Sequence, residues 1–280
     1  MTAAPDTPWR PLGPRPHELG EGLRRDGGTL RWVDLLRGEL YAWDTRGTAP
    51  AAVTHRLDRP TGVVERAEDG TLVGAVGTGV AQVHPDGTHT VLADTGLDPA
   101  RHRVNDGALA PDGSFWFGTM VHDGSAPDGA VWRWHPTTGA VTPVLQDIDV
   151  PNGPTFLPDA ETVLVADSAA GRILRARVGS PEQVEDFVVV EGGSPDGMHV
   201  DHRGRVWSAV WGAARVDVYG TDGARLGAVR LPVRQPTSVV LTREPDPLVV
   251  VTSATLGLGD PGHLDGHTIA ARLSRLRTEP

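Results

Sequence analysis

The sequence predicts an all-β fold, a six-bladed β-propeller of four-stranded antiparallel blades, and two observations carry that prediction. A short apolar run recurs six times: LRWVD at 30–34, LVGAV at 72–76, FWFGT at 115–119, VLVAD at 163–167, VWSAV at 206–210 and VVVTS at 249–253. Successive copies begin about 42 to 48 residues apart, the spacing of a repeated supersecondary unit. Most copies are preceded by a turn signal, namely Asp26-Gly27-Gly28, Asp69-Gly70, Asp112-Gly113, Pro158-Asp159 or Arg203-Gly204, residue types that close tight loops between strands. Runs this short and this rich in Val, Trp and Phe are buried strands. A unit of this length holding several strands is one propeller blade.

The other elements follow in order along each repeat. An inner strand, opening on a Gly, Pro or Asn turn, precedes the apolar run. A Gly-led or Ala-led segment with partial alternation follows it, as at 38–44 (GELYAWD), 129–135 (GAVWRWH), 171–178 (GRILRARV) and 214–219 (ARVDVY). A fourth strand-like piece ends the blade, as at 51–57, 90–93, 141–146, 187–190 and 225–231. The sixth repeat shows no outermost strand of its own after Arg277, so the N-terminal segment 8–13 is expected to supply it. That closure would remove an exposed sheet edge. The unbroken period makes residues 1–280 one propeller domain, with almost no helix.

Composition narrows the function. The chain carries 36 Asp and Glu against 26 basic residues, every one of them Arg, for a formal net charge of −10. That balance argues against nucleic acid or an anionic membrane as partner. There is no Cys, which excludes disulfides, thiolate metal sites and cysteine nucleophiles. Met1-Thr2-Ala3-Ala4-Pro5 has no basic start leading into an apolar stretch, and no run approaches the ~20 apolar residues of a membrane span. A cytoplasmic location is therefore expected; the oligomeric state is not legible.

If the blades are equivalent, side chains at one offset before each apolar run meet at one height around the axis. Counting back about ten residues gives Glu21, Gly62, Asn105, Asn152, Asp196 and Ser238. Two carboxylates converging there would repel each other unless a cation sits between them. The donors are all oxygen, so a hard divalent ion suits them. Ca²⁺ fits best, because it accepts amide oxygens and irregular geometry, with Zn²⁺, Mn²⁺, Mg²⁺ or Fe²⁺ left open. The alternative is a channel that holds only water. Arg103 lies two residues before Asn105, so on a strand its side chain reaches the same cavity. There it would either hold substrate oxygens or bridge two blades as a salt bridge. The loops at 35–37, 120–130, 168–170, 211–213 and 254–267 should form the pocket rim, with His122 and Asp123 as polar groups and Trp211 either stacking on a sugar ring or packing a blade. His199, His202, His263 and His267 lack zinc-ligand spacing and read as surface or hydrogen-bonding residues.

These residues resemble the SMP-30/gluconolactonase/regucalcin-like family of six-bladed propeller lactonases. The resemblance rests on Leu19-Gly20-Glu21-Gly22, Arg103-Val104-Asn105-Asp106-Gly107, Phe117-Gly118-Thr119-Met120, Asp149-Val150-Pro151-Asn152-Gly153, Ala166-Asp167-Ser168 and Pro195-Asp196-Gly197-Met198. It implies that Glu21, Asn152 and Asp196 ligate a divalent metal, that Arg103 and Asn105 hold substrate oxygens, and that Asp123 is an acidic substrate contact. Two stretches depart from the family pattern. Leu23-Arg24-Arg25 stands where the family has Pro, one residue and Trp, and Leu241-Thr242-Arg243 replaces a Phe-Gly-Gly.

The expected function is metal-dependent opening of a sugar lactone to the aldonic acid. A polarised carbonyl would be attacked by water, with Asp196 as the base that accepts the water's proton. Two alternatives stand beside it: a metal-dependent hydrolase of phosphotriesters or activated esters on the same fold, and a non-catalytic calcium-binding protein. Arg103 and Asn105 favour a polyhydroxylated ligand over a phosphotriester.

Overall fold

The computed structural model describes residues 7–243 and 245–279; Met1 to Pro5, considered above for a leader, lie outside them. Six antiparallel sheets succeed one another along the chain. Every recurring apolar run is the second strand of its sheet: Thr29–Asp34, Leu72–Val76, Phe115–Val121, Thr162–Asp167, Val206–Trp211 and Leu248–Ser253. The inner strands are Gly20–Asp26, Thr61–Arg66, His102–Leu109, Pro151–Phe156, Ser194–Val200 and Pro236–Leu241, each contacting the next around the axis. The chain is thus an all-β six-bladed propeller. The one helical element among the described residues is a short 3-10 turn, Leu273–Arg275. No helix among them is long and apolar enough to cross a membrane.

Continuous apolar second strands have a structural cause. Buried side chains form six clusters, each joining neighbouring blades: Val63 and Val73 of blade two with Val104, Phe115 and Phe117 of blade three, for example. Both faces of a second strand are therefore covered, one by the preceding blade and one by the following blade. Strict apolar–polar alternation is lost for that reason. Each fully buried Val, Leu or Phe stabilises the ring by about 1.5–3 kcal/mol, so the repeated runs hold the blades together.

Ring closure uses the N-terminus, as expected. Arg10 pairs with Ala270 and Pro11 with Ile269, adding the N-terminal segment as fourth strand to blade six. Leu12 extends the join, its amide donating to the Thr268 carbonyl at 2.8 Å while its own carbonyl accepts from the Ala51 amide of blade one. The C-terminus behaves differently from a blade-six strand. Thr278–Glu279 lies against Arg225–Arg230 as a fifth strand on blade five, held by Arg230 Nε donating to Glu279 Oε2 at 2.8 Å. Nothing in the repeat pattern announces this strand, because two residues carry no period.

Candidate active site

The inner strands are not regular where the ring residues sit. Between Glu21 and Arg24, Val104 and Gly107, Asn152 and Thr155, and Pro195 and Met198, the inner strand advances three residues while its neighbour advances two. Such bulges re-aim side chains and bend the strand. Here they occur at the positions carrying Glu21, Asn105, Asn152 and Asp196, and all four side chains line one axial cavity of about 320 Å³. Gly62, the ring position without a side chain, has a packing reason. A Cβ there would stand 2.0 Å from the Asn105 carbonyl oxygen, so blade three's bulge occupies that space. Ser238 is fully buried, and its hydroxyl has no partner among the described residues.

A directed hydrogen-bond chain crosses three blades above the axis. Arg103 Nη1 donates to Asn105 Oδ1 at 2.6 Å and to the Val104 carbonyl at 3.0 Å. Asn105 Nδ2 donates to Asn152 Oδ1 at 2.9 Å and to the Pro151 carbonyl at 3.1 Å. Asn152 Nδ2 donates to Ser168 Oγ at 3.0 Å, and that hydroxyl donates to the Pro195 carbonyl at 2.6 Å. A guanidinium can only donate and a carbonyl can only accept, so both amide orientations follow from the two ends. Among the described residues Arg103 makes no carboxylate contact short enough for an ion pair, and it donates to Val104 and Asn105 of its own strand.

Burial sets the electrostatics. Burial raises both Glu21 and Asp196; the Asp106 charge adds to the rise at Glu21, and the Glu21 and Asp106 charges add to it at Asp196, so both carboxyls are pushed above the usual carboxylate range. Each accepts one backbone amide, Gly22 to Glu21 Oε2 at 3.2 Å and Gly197 to Asp196 Oδ1 at 2.8 Å. Burial also lowers Arg103, to about 10, against the pull of Glu21 and Asp196; it stays cationic at neutral pH. Arg24 was legible only as a departure from the family pattern. It enters the axis, donating through Nη2 to Asp106 Oδ1 and through Nε to Glu65 Oε1, both at 2.9 Å, and through Nη1 to the Leu23 carbonyl at 3.0 Å. Asp106 is visible in the sequence only as part of a motif, its signal being a carboxylate next to the ring residue Asn105; Ser168 is visible only in the 168–170 rim loop and the Ala166-Asp167-Ser168 stretch, with no role of its own.

Four of the five expected loops reach the rim, and the 35–37 loop does not line the cavity. His122, Asp123, Ala169, Trp211 and Leu256 line the same cavity, with Met120 and Val150 as apolar walls. Asp123 is exposed at the mouth, its Oδ1 accepting the Ser125 amide at 3.0 Å. His122 Nε2 lies 3.0 Å from the Pro99 carbonyl. Trp211 is half-buried, packs against the blade-one and blade-two cluster and also lines the cavity.

The donor set fits a hard divalent cation. Two carboxylates whose ionisation burial holds down line the same cavity, with no His or Lys between them, and a carboxamide oxygen, Asn152 Oδ1, lines it with a lone pair to spare. Among the described residues no three His, Cys, Asp or Glu side chains are grouped closely enough to hold a metal ion by themselves.

Fold and site together define a six-bladed propeller with a polar, oxygen-lined axial pocket open on one face. The chain belongs to the SMP-30/gluconolactonase/LRE-like family, whose model matches residues 19–255. It is 32% identical to the pentonolactonase XacC of Haloferax volcanii over 89% of this chain and 87% of that protein. It is 28% identical to a 6-deoxy-6-sulfogluconolactonase of Pseudomonas putida, covering 80% of this chain and 79% of the relative. Among solved structures, a calcium-binding protein, regucalcin, from Agrobacterium tumefaciens superposes with a TM-score of 0.84 at 28% identity, covering 97% and 96% of the two chains.

Proposed function

We propose that the protein hydrolyses a sugar lactone to the corresponding aldonic acid. The observation that carries this is one axial cavity, lined by Arg103 and Asn105 together with the Glu21, Asn152 and Asp196 oxygens. The named activities of the pentonolactonase and sulfogluconolactonase relatives support the same substrate class. Glu21, Asn152 and Asp196 would hold one divalent cation, with Ca²⁺ favoured by the amide-containing oxygen set and by the calcium-binding regucalcin of similar fold. When bound, that cation supplies Lewis-acid polarisation of the lactone carbonyl and offsets the charge that develops on its oxygen. Arg103 donates to a ring oxygen through its remaining N–H groups, and Asn105, whose own N–H groups are engaged, accepts from a substrate hydroxyl through the spare lone pair of Oδ1. Asp123, at the mouth, accepts from a substrate hydroxyl. Asp196 takes the proton of the attacking water as the new C–O bond forms, and returns it to the ring oxygen as the ester C–O bond breaks. The product carboxylic acid then ionises and releases one proton. Residues 1–280 act as one propeller domain in this account, supported by the N-terminal strand that closes blade six.

A panel assay separates the alternatives. Proton release from aldonolactones, compared with turnover of phosphotriesters and aryl esters under identical metal conditions, should favour the lactones. Preference for phosphotriesters would support the esterase alternative. Cation binding without turnover of any panel member would support a calcium-binding protein.

A further inference from the structure

Ser168 lies immediately after the second strand of blade four, Thr162–Asp167, and is 7% exposed. Its hydroxyl accepts Asn152 Nδ2 within blade four at 3.0 Å and donates across to the Pro195 carbonyl of blade five at 2.6 Å. Pro195 precedes Asp196 directly, so this one hydroxyl ties the backbone beside Asp196 to the side chain of Asn152. At the other end Asn105 Nδ2 reaches Asn152 Oδ1 at 2.9 Å. Asn152 is thus gripped from both sides, with its donor end turned to Ser168 and its acceptor end turned to the ring.

We propose that Ser168 is a positioning residue that fixes the Asn152 amide with Oδ1 presented to the ring, and so sets the affinity of the site for its cation. Without the hydroxyl, Asn152 Nδ2 loses its acceptor and the amide is free to turn. An amide presenting N–H₂ to a cation repels it, because only the oxygen carries a lone pair to donate. The Pro195 carbonyl also loses its donor, so the segment carrying Asp196 loses one of its ties to blade four and keeps the Thr155 hydroxyl bond to the Met198 carbonyl at 3.3 Å. Outer partners of this kind typically alter metal affinity ten- to a hundredfold when removed. The relay adds a second consequence. Ser168 and Asn105 do not touch, yet both act on the same amide, so their effects on cation binding must be coupled.

The proposal rests on the cation site described under Proposed function, and the experiment keeps the two apart. Calorimetric titration of metal-free protein with Ca²⁺ alone is carried out on wild type, Ser168→Ala, Asn105→Ala, the double variant and Asp196→Asn. Ser168→Ala should bind Ca²⁺ about ten- to a hundredfold more weakly, with the thermal midpoint of the metal-free protein unchanged. The double variant should lose clearly less than the product of the two single losses. Wild-type affinity in Ser168→Ala, strictly multiplicative losses, or an affinity loss that tracks a fall in the metal-free midpoint each overturns the positioning role. Should Asp196→Asn also bind like wild type, the cation site itself is wrong and this inference falls with it.

Discussion

Arg24 and Asp106 meet inside the propeller axis, Nη2 to Oδ1 at 2.9 Å, and the Asp106 side chain is 1% exposed. The same guanidinium reaches Glu65 of blade two and backbone oxygens of blades one and three. One cation therefore serves two carboxylates and joins three blades beneath the candidate site.

Removing that cation should be costly. Arg24→Met leaves Asp106 and Glu65 without their partner, and breaking a buried pair in this way costs about 3–5 kcal/mol. The thermal midpoint should fall on the order of ten degrees. Adding Asp106→Asn and Glu65→Gln should recover part of the loss. An unchanged midpoint in Arg24→Met would show that the axis does not depend on this pair.

Arg103 should matter for turnover. A charge-assisted hydrogen bond to a substrate oxygen is worth roughly 1.5–3 kcal/mol, so Arg103→Ala should lower kcat/KM about ten- to a hundredfold. The Asn105 amide loses its donor as well, which places the effect at the upper end. Full activity in a folded Arg103→Ala protein would remove Arg103 from the substrate pose.

The three proposed ligands should be separable by titration. Glu21→Gln, Asn152→Ala and Asp196→Asn should each weaken Ca²⁺ binding, and Ca²⁺ should raise the wild-type melting temperature because it binds the folded state. Unchanged affinity in all three variants would falsify the ligand assignment.

His17 supplies a pH signature. It is buried, and Trp32 Nε1 donates to its Nε2 at 3.0 Å, so the ring is neutral with its proton on Nδ1, 3.9 Å from Asp34. Burial pushes His17 down from 6.5 to about 3. The unfolded chain therefore binds a proton that the folded one refuses. Stability is lost as pH falls below about 6.5, by up to about 1.4 kcal/mol per unit, and the loss levels off only near the folded value. Denaturant unfolding between about pH 7 and about pH 5 should show a shallower decline in His17→Gln than in wild type. Equal slopes would mean that His17 does not set this dependence.

Much of this was legible in the sequence, for identifiable reasons. The apolar runs such as 163–167 revealed the blades because both faces of a second strand are buried against neighbouring blades. The shared offset exposed Glu21, Asn105, Asn152 and Asp196 because equivalent blades place equivalent residues at one height. The Gly-containing sequences at those positions mark bulges, but a bulge register depends on the partner strand and cannot be counted from one strand alone. Ser168 is visible in the sequence as part of a rim loop and of the Ala166-Asp167-Ser168 stretch, but without its hydrogen-bonding role, and Arg24 is visible only as a departure from the family pattern. Ser168 sits after the second strand of blade four, outside the inner-strand pattern, and its partners Asn152 and Pro195 are 16 and 27 residues away in sequence. Arg24 shows as a charged residue in a strand, and only the axial packing reveals Asp106 opposite it, 82 residues on. The Thr278–Glu279 strand was missed for want of length.

The most direct test of the account is proton release from an aldonolactone before chelation, after chelation, and after Ca²⁺ or another divalent ion is restored, in wild type and in Asp196→Asn. The account predicts that wild-type hydrolysis disappears with the metal and returns with it, and that Asp196→Asn stays inactive even at saturating metal. Hydrolysis that survives complete chelation, or that persists in Asp196→Asn, would contradict it.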